Sequence, residues 1–165
     1  MYKHFYLTAE RFEEVEMQGR LTKRAMCYYK MQSYKGMRSL INANAKWIKA
    51  HLGVRFGIVG FEEPIDLTEM RSIDSIPAAN FTGKYYYFGI VKFEPIMRNG
   101  RPTNIPVIHY GKPHASVDDV FNANVEFMVN HPNRKFIITC FDHELDLDDK
   151  GVARGFVGMS ASFNK

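Results

Sequence analysis

The chain has 165 residues, of which 45% are apolar, 14% aromatic and 24% charged, with a formal net charge of +4. That length suits one sizeable core, and the composition excludes collagen-like, low-complexity and disordered architectures. No apolar run approaches the roughly 20 residues of a membrane-spanning helix, and the two distant cysteines, Cys27 and Cys140, exclude a disulfide scaffold and a Cys-based zinc site. Met1–Glu10 carries neither a long apolar segment nor a small-residue cleavage site, so a cytoplasmic location is expected.

His4–Thr8 reads as a short opening strand. Thr8 is placed to cap a helix over Ala9–Gln18, whose Glu10, Glu13 and Glu14 suit a helix N-terminus, and Gly19 ends it. A second helical stretch is predicted over Thr22–Tyr34. A third, Met37–Leu52, shows Leu40, Ile41, Ala45, Ile48 and Leu52 on one stripe, with Gly53 as its stop. Val54–Phe61 reads as a strand, and Glu63–Gly83 as a long loop. Lys84–Glu94 is the most strand-like segment, Asn99-Gly100 marks a turn, and Asn104–Tyr110 reads as an edge strand because of Pro106. Ser116 opens a helix, with Asp119 as its capping partner, that runs to His131-Pro132. Lys135–Phe141 is a buried-type strand, continuing to Asp148, turning at Asp149-Lys150-Gly151 and returning as Val152–Ser160.

No internal repeat and no linker divides the sequence, so residues 1–165 are expected to form a single α+β domain. The order of elements predicts a ferredoxin-like (split βαβ) antiparallel sheet with helices on one face, an extra N-terminal basic helix and a C-terminal β-hairpin.

The charges are unevenly laid out. Between Met17 and Phe61 no acid occurs, while nine bases do: Arg20, Lys23, Arg24, Lys30, Lys35, Arg38, Lys46, Lys49 and Arg55. A one-signed stretch raises local potential and suits a polyanion, whose neutralised phosphates release counterions. The alternative is a solvated helical face balanced by acids elsewhere in the fold. Tyr28, Tyr29 and Tyr34 lie among these bases, which suits a joint grip on base and phosphate or, equally, a packing face with snorkelling lysines.

Alternation along Lys84–Glu94 puts Tyr85, Tyr87, Gly89, Val91 and Phe93 on the face expected to meet the helices. It leaves Tyr86, Phe88, Ile90, Lys92 and Glu94 on the open one. Exposed Tyr86 and Phe88 beside Lys92 offer stacking platforms worth about 1–3 kcal/mol per base. Phe88-Gly89-Ile90-Val91-Lys92-Phe93 resembles part of the RNP1 signature of the RNA recognition motif: Phe88, Gly89, Val91 and Phe93 match, whereas Tyr86, Tyr87 and Ile90 do not. Phe5-Tyr6-Leu7 stands where the companion RNP2 lies, with Ala9 and Glu10 in place of its Asn and Leu. The resemblance implies single-strand binding on a sheet face. Aromatic residues are also simply strong strand formers that a second layer can cover.

Enzyme patterns are thinner. Asp142, Glu144, Asp146 and Asp148 alternate on one strand face but lack calcium-loop spacing, and a solvated acidic face accounts for them. His143 points away from its acidic neighbours. His109 and His114 flank a loop, and Glu62-Glu63 lie near Asp66 and Glu69. Phosphate-loop, dinucleotide-fold, metalloprotease and nucleophile-elbow motifs are absent.

The expected function is therefore nucleic-acid binding, single strands favoured. Arg20, Lys23, Arg24, Lys30, Lys35 and Arg38 would track phosphates, Tyr6, Tyr86 and Phe88 would stack bases, and Arg55 and Lys92 would flank them. No cofactor or metal is expected; homo-oligomerisation stays open. The alternatives are a small-ligand enzyme or sequestering protein built around Glu62, Glu63, His109 and His114, and a protein-interaction or inhibitor module.

Overall fold

Gln18 and Gly19 set the start of the fold. Their φ angles of 53° and 77° are both positive, as the centre of a two-residue type I′ turn requires. They fold β1 (His4–Met17) onto β2 (Arg20–Tyr29) in an antiparallel ladder running from Met17↔Arg20 to Thr8↔Tyr29. The helices expected over Ala9–Gln18 and Thr22–Tyr34 are thus a long hairpin. Charge supports the ladder: Glu13 lies opposite Arg24 and Glu14 opposite Lys23, the arrangement that stabilises a cross-strand pair.

The computed structural model describes residues 1–79 and 81–154. After the hairpin come α1 (Met37–Ala43), α2 (Ala45–Ala50), β3 (Phe56–Phe61), β4 (Arg71–Ser72), a 3₁₀ turn (Ile73–Ser75), β5 (Tyr85–Arg98), β6 (Arg101–Tyr110), α3 (Val117–Val129) and β7 (Lys135–Phe141). The predicted Met37–Leu52 helix is broken at Asn44, whose side-chain amide donates to the Leu40 carbonyl at 2.8 Å. Ser116 caps α3 as its sequence suggests, its hydroxyl accepting from Asp119 N at 3.1 Å.

The strands form one seven-stranded sheet in the order β4-β2-β1-β3-β7-β5-β6, antiparallel except where β4 runs parallel to β2. The ferredoxin-like plan is therefore wrong. A mixed sheet with three short α-helices replaces it, and the basic N-terminal helix is the second strand of a hairpin. Of the expected C-terminal hairpin, Leu147 bridges Ala153, and residues 155–160 lie outside the described residues.

The expectation of no repeat is also overturned. Hairpin, helix and strand occur twice, as β1-β2-α1/α2-β3 and β5-β6-α3-β7. Matching details accompany the matching order. Asn99-Gly100 repeats the Gln18-Gly19 turn with φ of 50° and 76°. Asn42-Ala43-Asn44 recurs as Asn122-Ala123-Asn124, and Asn124 donates to Val120 O as Asn44 does to Leu40 O. His51 stacks on Trp47 and His131 on Phe127, each with Nδ1 2.6 Å from the carbonyl of the stacked residue. Phe56 and Phe136, equivalent in the two units, pair across the β3–β7 seam, so a pseudo-twofold axis passes between them.

The buried tyrosines repeat as well. Tyr6 OH accepts from Ile65 N at 3.0 Å and Tyr87 OH from Leu145 N at 2.7 Å, each anchoring the chain that leaves its own unit's last strand. Tyr87→Phe should lower unfolding free energy by about 1–3 kcal/mol, because it strands the buried Leu145 N–H, and Tyr6→Phe by less, because the Ile65 N–H is only half-buried. Chemical denaturation of the two variants checks this.

Leu7, Ala9, Phe56, Ile58, Phe88, Phe136 and Ile138 pack under Leu40, Ile41, Ile48, Val120, Phe121 and Met128 of the helices. On the other face Tyr87, Val91, Ile108, Tyr110 and Ile137 pack with Leu145 and Ala153. The two faces of β5 are thus grouped as alternation predicts but reversed: Tyr86, Phe88 and Ile90 meet the helices. At the seam a Cβ on Gly57 would lie 2.3 Å from the Arg134 carbonyl, which is backbone and held by the sheet. Gly57→Ala should therefore cost about 1–3 kcal/mol or somewhat more, read as a lowered thermal midpoint.

Candidate nucleic-acid interface

β3 pairs with β1 as far as Ala9↔Phe56, and β7 pairs with β5 as far as Val91↔Lys135. Beyond those rows each hairpin has no inner neighbour among the described residues, and its outer half continues there as a two-stranded ribbon. Residues 10–27 form the first arm and residues 92–107 the second. The ladders β1–β3, β3–β7 and β7–β5 are all antiparallel, so β1 and β5 run in opposite senses and the arms leave opposite ends of the sheet.

The first arm is electrically balanced, with Glu10, Glu13, Glu14 and Glu16 against Arg11, Arg20, Lys23 and Arg24. Arg71 adds an ion pair to Glu13 and lies over the Tyr28 ring. Its tip exposes Arg20 and Leu21, the latter 74% accessible.

The second arm is different. Phe93 is 58% exposed and Met97 68% exposed, and both point to the same side of β5. Lys92, Arg98 and Arg101 are exposed and form no ion pair among the described residues, while the one acid, Glu94, is held by His109 Nε2 at 2.9 Å. At the tip Arg98 lies directly opposite Arg101. Like charges so placed destabilise a ladder.

Where β1 and β3 meet, a charged cluster braces the root of the first arm. Glu10 takes an ion pair from Lys135 and another from Arg55 at 3.8 Å, and Arg55 lies over the Phe12 ring at 5.1 Å. Burial lowers the Arg55 pKa from its ordinary value, opposed by Glu10 and Tyr110. The same burial raises the Tyr110 phenol well above its usual range.

Three of the residues expected to contact polymer are therefore enclosed: Tyr6 is 1% exposed, Phe88 is 4% exposed, and Arg55 is buried in this cluster. Tyr86 is half-buried and packed against the helix-side core, bridged to His114. Bases cannot stack on Phe88 as expected, because helices cover the side of the sheet that carries it. Arg20, Lys23 and Arg24 lie on the first arm, Lys92 on the second, and Lys30 and Lys35 in the connection before α1. Arg38, on α1, is engaged by Glu126 at 2.7 Å.

Of the residues expected for a small-ligand site, three have separate partners: Glu62 meets the N-terminal amine, His109 meets Glu94 and the Lys150 carbonyl, and His114 bridges Tyr86. Among the described residues no three His, Cys, Asp or Glu side chains are gathered to hold a metal ion. The acidic run Glu144–Asp149 lines an open cleft of about 530 Å³ with Tyr87 and Tyr110, and burial raises the Cys140 thiol in a second cleft of about 500 Å³. Asp148 is committed to the backbone amides of Lys150 and Val152, with Val152 the main cause of its lowered pKa.

No family model, no curated protein and no solved structure matches the chain. Among the described residues, no helix is long and apolar enough to cross a membrane.

Phe93, Met97, Arg98 and Arg101 were missed as a group. The available signal was the Asn99-Gly100 turn with an arginine directly on either side of it, Arg98 and Arg101, which marks a cationic hairpin tip.

Proposed function

We propose that this chain binds nucleic acid and grips it with its hairpin arms rather than on its sheet face. The observation that carries this reading is Arg98 facing Arg101 at the tip of the second arm, with exposed Met97 and Phe93 on the other face of the same ribbon. A phosphate lying between the two guanidiniums turns their mutual repulsion into two charge-assisted contacts. The apolar side chains on the ribbon's other face suit stacking on a base or wedging between base steps, as ribbon- and minor-groove-binding proteins do. A two-stranded ribbon is also of a width that the major groove, about 12 Å wide, admits.

The test is binding of fluorescent single-stranded and duplex oligonucleotides across a salt series. Four or more neutralised phosphates predict that log K falls against log salt with a slope of about −3 or steeper. Absence of binding at micromolar protein, or binding indifferent to salt, contradicts the reading.

A further inference from the structure

We infer that the two hairpin tips contact one nucleic-acid duplex together, making the chain a two-point clamp of fixed span; this rests on the arm-binding reading above. The first tip reads Gly19-Arg20-Leu21-Thr22 and the second Gly100-Arg101-Pro102-Thr103, at equivalent places in the two units. Elsewhere, shared residues such as Tyr6 and Tyr87 are explained by burial and common hydrogen bonds. The tips have no such explanation. Arg20, Thr22, Arg101 and Thr103 are exposed, a Cβ on Gly19 or Gly100 would meet nothing within 4 Å, and neither arginine forms an ion pair among the described residues. Retention of Arg and Thr where packing demands neither points to a chemistry common to both tips. A guanidinium and a hydroxyl, both donors, suit phosphate oxygens.

The ladder registers set the span. Ala9, Phe56, Phe136 and Ile90 lie in one row across the sheet at the pseudo-twofold axis. Each tip lies roughly nine residues beyond that row, about 30 Å at 3.4 Å per residue, in opposite directions. The sheet order places three strand steps between β1 and β5. A twist of about 20–25° per step leaves the tips about 55 Å apart. A duplex rising about 3.4 Å per pair covers that distance in about 16 base pairs. Duplex DNA is stiff over such a length, with a persistence length of about 150 base pairs, so the second contact is gained abruptly rather than gradually.

The test compares affinity for duplexes of about 10 and about 24 base pairs, below and above the span, in wild type, Arg20→Ala and Arg101→Ala. Wild type is expected to favour the longer duplex by about tenfold or more, because the second tip binds at high effective concentration. Either single-tip variant is expected to lose most of that preference while keeping salt-sensitive binding to the short duplex. Both substitutions are exposed, and circular dichroism of the variants confirms the fold. Salt-sensitive binding without a length step, or a step unchanged in both variants, overturns the clamp and leaves the arm reading standing. Salt-insensitive or absent binding at every length overturns both.

Discussion

Arg98→Glu is expected to stabilise the protein and to weaken oligonucleotide binding about a hundredfold at low salt. The two effects share one cause. Arg98 lies opposite Arg101 in the β5–β6 ladder, and an opposite-charge pair there contributes roughly 0.2–1 kcal/mol where a like pair costs stability. The new carboxylate removes one phosphate contact and ties up the guanidinium of Arg101, removing a second. At about 1.5 kcal/mol per charge-assisted contact, two lost contacts amount to about a hundredfold, since 1.4 kcal/mol is a factor of ten. Denaturant midpoints and anisotropy on the same preparation read both effects. Arg38→Ala supplies the comparison: its guanidinium already answers Glu126, so binding should change less than about threefold. A tip substitution that moved stability and affinity in the same direction would indicate that Arg98 has a structural role only.

Glu10→Ala is expected to cause the largest stability loss, about 3–5 kcal/mol, because it leaves the buried Arg55 guanidinium without its carboxylate. Lys135, more exposed, recovers its hydration, whereas Arg55 remains enclosed under Phe12. Equilibrium unfolding of Glu10→Ala, with Arg55→Met/Glu10→Ala beside it, separates an uncompensated charge from lost packing. The double variant should recover part of the loss. The cluster also links the root of the first arm to the β3–β7 seam, so Glu10→Ala should increase amide exchange along residues 10–17 more than along residues 92–98.

The second half of the chain was far more legible than the first. Asn99-Gly100 is a strong turn signal, Ser116 with Asp119 marks a helix start, and Phe136–Phe141 is apolar except for Thr139, so local chemistry and final structure agree. In the first half, Gln18-Gly19 does the same work as Asn99-Gly100 without the asparagine. Glu10, Glu13 and Glu14 fall where a helix N-terminus wants acids. Only pairing with Lys23 and Arg24 shows that those acids serve a ladder. The same pairing dissolves the acid-free stretch as an argument from charge, because the balancing carboxylates lie one strand away. Grouping of the β5 side chains follows from alternation alone, but which group meets the helices depends on the connections, and those were misread. The repeat escaped notice because its identities are sparse and its units differ in helix content: α3 is continuous where α1 and α2 are broken at Asn44. Of the residues expected to contact polymer, Arg20, Lys23, Arg24 and Lys92 lie exposed on the arms. Tyr6, Phe88 and Arg55 are buried, Phe88 under the helices, Tyr6 on the opposite side of the sheet and Arg55 in the charged cluster.

The most direct measurement is photocrosslinking of a bound, photoactivatable duplex followed by mass spectrometry of the joined peptides. The account predicts adducts within residues 92–104 and 15–24, concentrated near Phe93, Met97 and the two tips, and suppressed by added salt. Adducts confined to the helices, or to the connection around Lys30 and Lys35, would contradict it.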